Sequence, residues 1–101
     1  MKKVNLHIPQ EKIDEFCKAN RIRRLALFGS VLREDFDLSS DVDVLVEFDA
    51  DAGVGMIRLS ALEIELSQIL GRKVDLNTPG FLSKHYRDRV LSEAAVQYDA
   101  T

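Results

Sequence analysis

The sequence predicts a small α/β domain of the α+β class, in which a mixed β-sheet is flanked by helices. Apolar and polar residues alternate over 42–48, as they do in a half-buried strand. Apolar residues recur with the helical period over 56–70, and the connections between such segments are short. The chain has 101 residues, so we expect one domain over 1–101 with a single modest core.

In the first half of the chain, a helix is predicted over about 9–20. Ile13, Phe16 and Cys17 share one face of it, Pro9 suits a first helical turn, and Asn20 suits a stop. The apolar run 25–28 then ends in a Gly-Ser pair and predicts a buried strand entering a turn. A short helical turn over 31–33 is expected to follow.

In the second half, the clearest strand covers 42–48, with an apolar face made by Val42, Val44, Val46 and Phe48. A helix over 56–70 follows and is closed by Gly71, with a predicted apolar stripe of Ile57, Leu59, Leu62, Leu66, Ile69 and Leu70. The remaining predicted elements are a strand over 73–76, a turn over 77–80, a helix over 82–92 carrying Tyr86, Val90 and Leu91, and a short edge strand over 94–98.

The charge balance is slightly acidic, with a net charge of −3. A protein that grips nucleic acid through its backbone usually carries a basic stripe, because phosphate neutralisation supplies most of the affinity. The basic segments 21–24 and 84–89 are interpreted as solvated element ends or helix faces. We therefore expect no direct binding to nucleic acid.

Residues 4–9 are too short and too polar for the apolar core of a signal peptide. The longest apolar runs are far shorter than a membrane span. Cys17 is the single cysteine, which excludes an internal disulfide and a multi-cysteine metal site and favours a packed core thiol. We expect a cytoplasmic protein with no membrane contact.

One spacing in the chain indicates chemistry: Gly29-Ser30, then ten residues, then Asp41-Val42-Asp43. Side chains at i and i+2 of a strand point the same way, so Asp41 and Asp43 project together. Asp75 projects from the predicted strand 73–76, which is able to lie beside them. Three convergent carboxylates repel one another, and a divalent cation such as Mg²⁺ resolves that conflict. Two such ions would clamp the attacking and leaving oxygens of an in-line displacement.

The Gly-Ser turn predicts the other half of the site. Gly29 lets the backbone approach a ligand closely, and a helix start after it presents free N–H groups to an anion. The hydroxyl of Ser30 is able to add a donor, and Asp75 is placed to act as a general base. A phosphate-binding turn together with metal-binding carboxylates supplies most of what phosphoryl-type transfer requires.

Two structural alternatives are open for the acids. Asp-x-Asp after Ser39-Ser40 is also typical of a turn or capping device at a strand entrance. Asp75 is also able to serve as an ion partner for its basic neighbours Arg72 and Lys73. The combination of strand, Gly-Ser turn and three acids in phase favours the functional interpretation.

The stretch Leu27-Phe28-Gly29-Ser30-Val31-Leu32-Arg33, continuing through 40–46, resembles the signature of the DNA polymerase β-like nucleotidyltransferase superfamily. More narrowly, it resembles the minimal nucleotidyltransferases, and Lys73-Val74-Asp75-Leu76 matches the place of their third carboxylate. The resemblance implies a polymerase β-like nucleotidyltransferase fold. It gives phosphate contacts to Gly29, Ser30 and Arg33, and gives Mg²⁺ binding and catalysis to Asp41, Asp43 and Asp75. Glu34 departs from the pattern, since a small residue is frequent there.

Members of this group are antitoxins of type VII-like toxin–antitoxin systems. The resemblance therefore implies a hetero-oligomer with a HEPN-domain RNase toxin, and Mg²⁺-dependent transfer of AMP from ATP to a tyrosine of that toxin. It implies two Mg²⁺ ions, with ATP as the substrate. Two alternatives are a catalytically vestigial antitoxin that acts by binding, and the catalytic subunit of a two-chain, antibiotic-type nucleotidyltransferase. Tyr86 and Tyr98 are interpreted as packing groups.

Overall fold

The structure is a computed structural model that describes residues 4–37 and 39–100. Residues 1–3, Leu38 and Thr101 of the predicted domain lie outside the described residues. The helices and strands, in chain order, are α1 Gln10–Ala19, β1 Ile22–Phe28, β2 Val42–Phe48, α2 Met56–Leu70, β3 Val74–Asn77, α3 Lys84–Glu93 and β4 Ala95–Asp99. Short 3₁₀ helices cover Gly29–Leu32 and Pro79–Phe81. The predicted order of helices and strands is confirmed, as is the α+β class.

The four strands form one mixed sheet in the order β3-β2-β1-β4. β1 is antiparallel to β2 and β4, and β2 is parallel to β3. In the parallel pair Asp43 lies opposite Asp75, and in the neighbouring antiparallel pair Phe28 lies opposite Asp43. The register thus brings the end of β1, the start of β2 and β3 to the same part of the sheet.

The main core lies between α1, α2 and one face of the sheet. Val42, Val44 and Val46 of β2 belong to it, as the alternating pattern predicts. Cys17 is fully buried there, and burial is the main cause that raises the pKa of its thiol to about 12, so the predicted packed thiol is confirmed. Among the described residues, no helix is long and apolar enough to cross a membrane.

The opposite face of the sheet carries a second, smaller core. Leu45 lies on the same strand face as Asp43 but is only 2% exposed, because it packs with Phe28 and with Val90 of α3. The prediction of a single modest core was incomplete here. α3 therefore covers the face from which the acids project.

Several predicted boundaries and faces were wrong. β1 begins at Ile22 rather than residue 25, since β2 pairs with it from Ile22 and β4 pairs with it from Arg24. Ile57 is 89% exposed and does not belong to the buried stripe of α2. In α3 only Val90 is buried, whereas Tyr86 and Leu91 are exposed, because a short helix resting on a sheet buries only one narrow stripe.

Two polar side chains of α2 accept hydrogen bonds from the outer edge of β3. The backbone N–H of Leu76 donates to Glu63 Oε2 at 2.8 Å, and that of Val74 donates to Ser67 Oγ at 3.1 Å. Ser67 Oγ in turn donates to the carbonyl of Glu63 at 2.8 Å. Edge strands otherwise present unpaired N–H groups, so these bonds fix the backbone on both sides of Asp75.

Replacing Glu63 with alanine should therefore loosen β3. Loss of a half-buried hydrogen bond to a charged acceptor is expected to lower the free energy of unfolding by about 1–3 kcal/mol. Urea titration followed by circular dichroism measures this change. Glu65→Ala is the matched control, because Glu65 is exposed on the same helix. Equal losses in the two variants would contradict the role of Glu63.

Candidate active site

Gly29 lies against the carboxylate of Asp43. A Cβ atom at Gly29 would lie 2.4 Å from Asp43 Oδ2, a separation that real Cβ atoms essentially never show. Gly29 also has a φ of +73°, which favours glycine. Any other residue at position 29 would thus strain the turn and displace the carboxylate.

Ser30 links the turn to the start of β2. Its Oγ donates to the backbone carbonyl of Asp41 at 3.2 Å. A hydroxyl has one proton to donate, so a donated bond from Ser30 to a phosphate requires release of Asp41. The phosphate contact of Ser30 stays a prediction.

Asn5 holds the turn from the other side, and sequence reasoning missed it. Its backbone N–H donates to the carbonyl of Val31 at 3.0 Å, and its Nδ2 donates to the carbonyl of Arg33 at 2.8 Å. These bonds satisfy carbonyls at the end of the 3₁₀ helix. The signal is only a single asparagine 24 residues before Gly29, which no local pattern connects to the turn.

The turn-forming acid before β2 is Asp37. Asp37 Oδ1 accepts hydrogen bonds from the backbone N–H and the hydroxyl of Ser39, at 2.9 and 2.7 Å. These bonds lower the pKa of the Asp37 carboxyl. A turn or capping role at the strand entrance was the alternative interpretation of Asp41 and Asp43. The contacts to Ser39 that form this turn are made by Asp37.

Arg72 fixes the same loop and was also missed. Its guanidinium donates to the carbonyl of Ser40 at 3.0 Å and to that of Asp37, and stacks 4.5 Å from the ring centre of Phe36. Arg72 is thus directed to the loop, which disfavours the alternative in which it pairs with Asp75. The loop that delivers Asp41 to the strand is held from the end of α2.

Asp43 and Asp75 lie on the neighbouring strands β2 and β3, and Asp41 is the residue just before β2. Asp41 and Asp75 are exposed, while Asp43 is half-buried between them and the turn. Burial is the main cause that raises the pKa of the Asp43 carboxyl, and the charges of Asp75 and Asp41 raise it further. The charge of Arg33 opposes that shift in the Asp43 pKa. The electrostatics thus couple all three acids.

The donor chemistry suits Mg²⁺, because carboxylate oxygens are its preferred protein ligands. Because Gly29 has no side chain, the Asp43 carboxylate is able to occupy the space beside the turn. Within 4–37 and 39–100, however, no three Asp, Glu, His or Cys side chains are grouped closely enough to hold a metal ion. The metal roles of Asp41, Asp43 and Asp75 stay predictions.

A cavity of about 190 Å³ lies between the turn and α3. Gly29 and Arg33 line it on one side, and Tyr86, Arg89 and Glu93 line it on the other. Arg33 is exposed, and its Nε lies 3.4 Å from Asp35 Oδ1. The structure therefore places Arg33 beside the turn, where its predicted phosphate contact is possible.

The nucleotidyltransferase domain family matches residues 10–97 of the chain. The chain therefore belongs to this family and is a nucleotidyltransferase. It is 33% identical over 91 residues to a protein of Methanocaldococcus jannaschii named "Putative protein adenylyltransferase MJ0435", covering 90% of this chain and 96% of that protein. It is also 33% identical over 72 residues to protein adenylyltransferase MntA of Thermococcus cleftensis, covering 71% of each.

Solved structures show the same fold. A "putative minimal nucleotidyltransferase" superimposes with a TM-score of 0.71 at 32% identity, over 84% of this chain and 85% of that one. A toxin–antitoxin structure with AMP-PNP gives 0.75 at 23% identity, over 91% and 74%. A complex of a tri-AMPylated Shewanella oneidensis HEPN toxin with its MNT antitoxin gives 0.66 at 24% identity, over 89% and 69%.

The raised pKa of Asp43 predicts that its charge destabilises the fold. The cost is present above the folded-state pKa and disappears at low pH, where both folded and unfolded chains are protonated. Without divalent cations at pH 7, Asp43→Asn should therefore raise the thermal midpoint, and the gain should shrink as the pH falls toward about 4 and be absent below it. Differential scanning calorimetry across pH measures this. Asp88→Asn, on exposed α3 surface, is the control, and a lower midpoint for Asp43→Asn at pH 7 would refute the prediction.

Proposed function

We propose that this nucleotidyltransferase is the antitoxin of a HEPN toxin and inactivates it by transferring AMP from ATP to a tyrosine hydroxyl. The observation that carries the proposal is the close approach of Gly29 to Asp43, with Asp75 in register on the next strand. The names of two relatives, protein adenylyltransferases, support the reaction. The complexes of MNT antitoxins with HEPN toxins among the structural neighbours support the partner.

In this reaction the tyrosine oxygen attacks the α-phosphorus of ATP and forms a new O–P bond. The bond from that phosphorus to the bridging oxygen of the β-phosphate breaks, and pyrophosphate leaves. Asp75 accepts the proton of the hydroxyl, because it is exposed and lies in register with Asp43. The backbone of the Gly29 turn orients the phosphates.

Asp41, Asp43 and Asp75 would hold the Mg²⁺, as one or two ions. When bound, Mg²⁺ neutralises charge on the phosphate oxygens. Asp43 is the one acid of the three that is half-buried, and the turn fixes its position, so it anchors the set. Asp41 and Asp75 are exposed and have room to close on a cation.

An open site explains the need for a protein partner. Asp41 and Asp75 lie at the surface, beside the part of the same sheet face that α3 covers. The acceptor must therefore be brought by another molecule, and a HEPN toxin brings its own tyrosine. The net charge of −3 suits a basic, RNA-binding partner, and the encounter is expected in the cytoplasm.

Intact-mass spectrometry of the purified antitoxin–toxin pair tests the reaction. With ATP and Mg²⁺, the toxin should gain one or more AMP units. Asp43→Asn and Asp41→Asn should each lower the rate of transfer by at least about a hundredfold, since catalysis here depends on charge neutralisation and positioning. Chelation of Mg²⁺ should abolish transfer, and Asp88→Asn should leave it unchanged.

The same experiment separates the alternatives. If the toxin gains mass equally with the Asp41→Asn/Asp43→Asn double variant, the assigned site is wrong. If RNase inhibition persists in that variant and without nucleotide, the protein acts as a binding antitoxin. If AMP instead appears on a small-molecule acceptor, the two-chain, antibiotic-type reaction is correct.

A further inference from the structure

The cavity beside the Gly29 turn contains a face of α3 with no assigned role. Tyr86, Arg89, Val90 and Glu93 follow the spacing i, i+3, i+4 and i+7, so they share one side of the helix. Val90 is buried against Phe28 and Leu45, which fixes that side toward the sheet. The basic segment 84–89 is thus divided: part of it lines the cavity and part of it is solvated.

Two guanidinium groups border this cavity from opposite sides. Arg33 comes from the end of the 3₁₀ helix and Arg89 comes from α3. Guanidinium groups bind phosphate oxygens with paired hydrogen bonds, and Gly29 lines the same cavity. The volume of about 190 Å³ is below the roughly 300 Å³ of the smallest typical small-molecule pockets, so it suits part of a nucleotide.

Each arginine is paired with an exposed carboxylate that an anion is able to replace. Arg89 Nε lies 3.4 Å from Glu93 Oε1, and the two side chains are 71% and 61% exposed. Arg33 Nε has the same separation from Asp35 Oδ1. Exposed ion pairs of this kind contribute little to stability, so a phosphate group readily displaces them.

We propose that this cavity binds the β- and γ-phosphates of the nucleotide, with Arg89 as a binding residue and Glu93 as its resident counterion. The assignment rests on the proposed function, because it takes the substrate to be a nucleoside triphosphate. Arg89 leaves Glu93 when the diphosphate enters, and it holds the pyrophosphate that departs from the α-phosphorus. The carboxylate of Glu93 therefore lowers the affinity for the diphosphate, because it competes with the diphosphate for the guanidinium of Arg89.

Calorimetric titration of the full chain with pyrophosphate, in the presence of Mg²⁺, tests this assignment. Arg89→Gln should raise the dissociation constant for pyrophosphate about tenfold, the loss expected for a charge-assisted hydrogen bond. Glu93→Gln should lower it by about two- to threefold. Lys84→Gln is the matched control: it removes one positive charge from the exposed start of the same helix and should change little. Thermal midpoints establish that each variant is folded.

A parallel titration with AMP identifies which part of the nucleotide is bound. AMP lacks the β- and γ-phosphates, so Arg89→Gln should leave its affinity unchanged. Equal weakening of AMP would assign the cavity to the nucleoside end and overturn the proposal. No pyrophosphate binding by the native chain, or equal losses in Arg89→Gln and Lys84→Gln, would also overturn it.

These titrations use no toxin, so their outcome is separate from that of the transfer reaction. Unchanged pyrophosphate binding in Arg89→Gln, with normal transfer to the toxin, would overturn the cavity assignment alone. If Arg89→Gln selectively loses pyrophosphate binding but the native chain transfers no AMP to a toxin, the cavity is still a diphosphate site and the proposed acceptor is wrong.

Discussion

The site depends on how closely the backbone of Gly29 approaches the carboxylate of Asp43. This contact is possible only without a side chain at position 29, and it joins the end of β1 to the start of β2. Antiparallel pairing places Phe28 opposite Asp43, and parallel pairing places Asp75 on the other side. One close contact and two registers therefore determine where the Gly29 turn, Asp43 and Asp75 meet.

The sequence predicts this central part well because its signals are local or periodic. Strand alternation places Val42 and Val44 on the buried face, and Asp43 between them is only half-buried. Gly71 ends α2 in the left-handed conformation, as its position after the apolar stripe predicts. The family signature adds functional roles to Gly29 and Asp75, which composition alone does not supply.

The supporting contacts were not predictable, because they join residues far apart in the chain. Asn5 binds the turn, Arg72 binds the loop before β2, and Glu63 binds the outer edge of β3. None of these side chains belongs to a motif, and each satisfies backbone groups that a secondary-structure pattern leaves unspecified. The burial of Leu45 was missed for a related reason, since it depends on where α3 packs.

Hydrogen bonds near the site offset the electrostatic cost of placing the Asp43 carboxylate there. Burial of Asp43, together with the charges of Asp75 and Asp41, raises its pKa and disfavours the folded state at neutral pH, so neighbouring elements must hold the strands in place. The hydrogen bonds from Leu76 to Glu63 and from Val74 to Ser67 do this at β3 without adding charge to the acid face. Asp41 and Asp75 stay exposed, where water and salt screen their charges. A small domain thus accommodates the half-buried carboxylate of Asp43 by means of hydrogen bonds placed at the outer edge of β3, away from the acids.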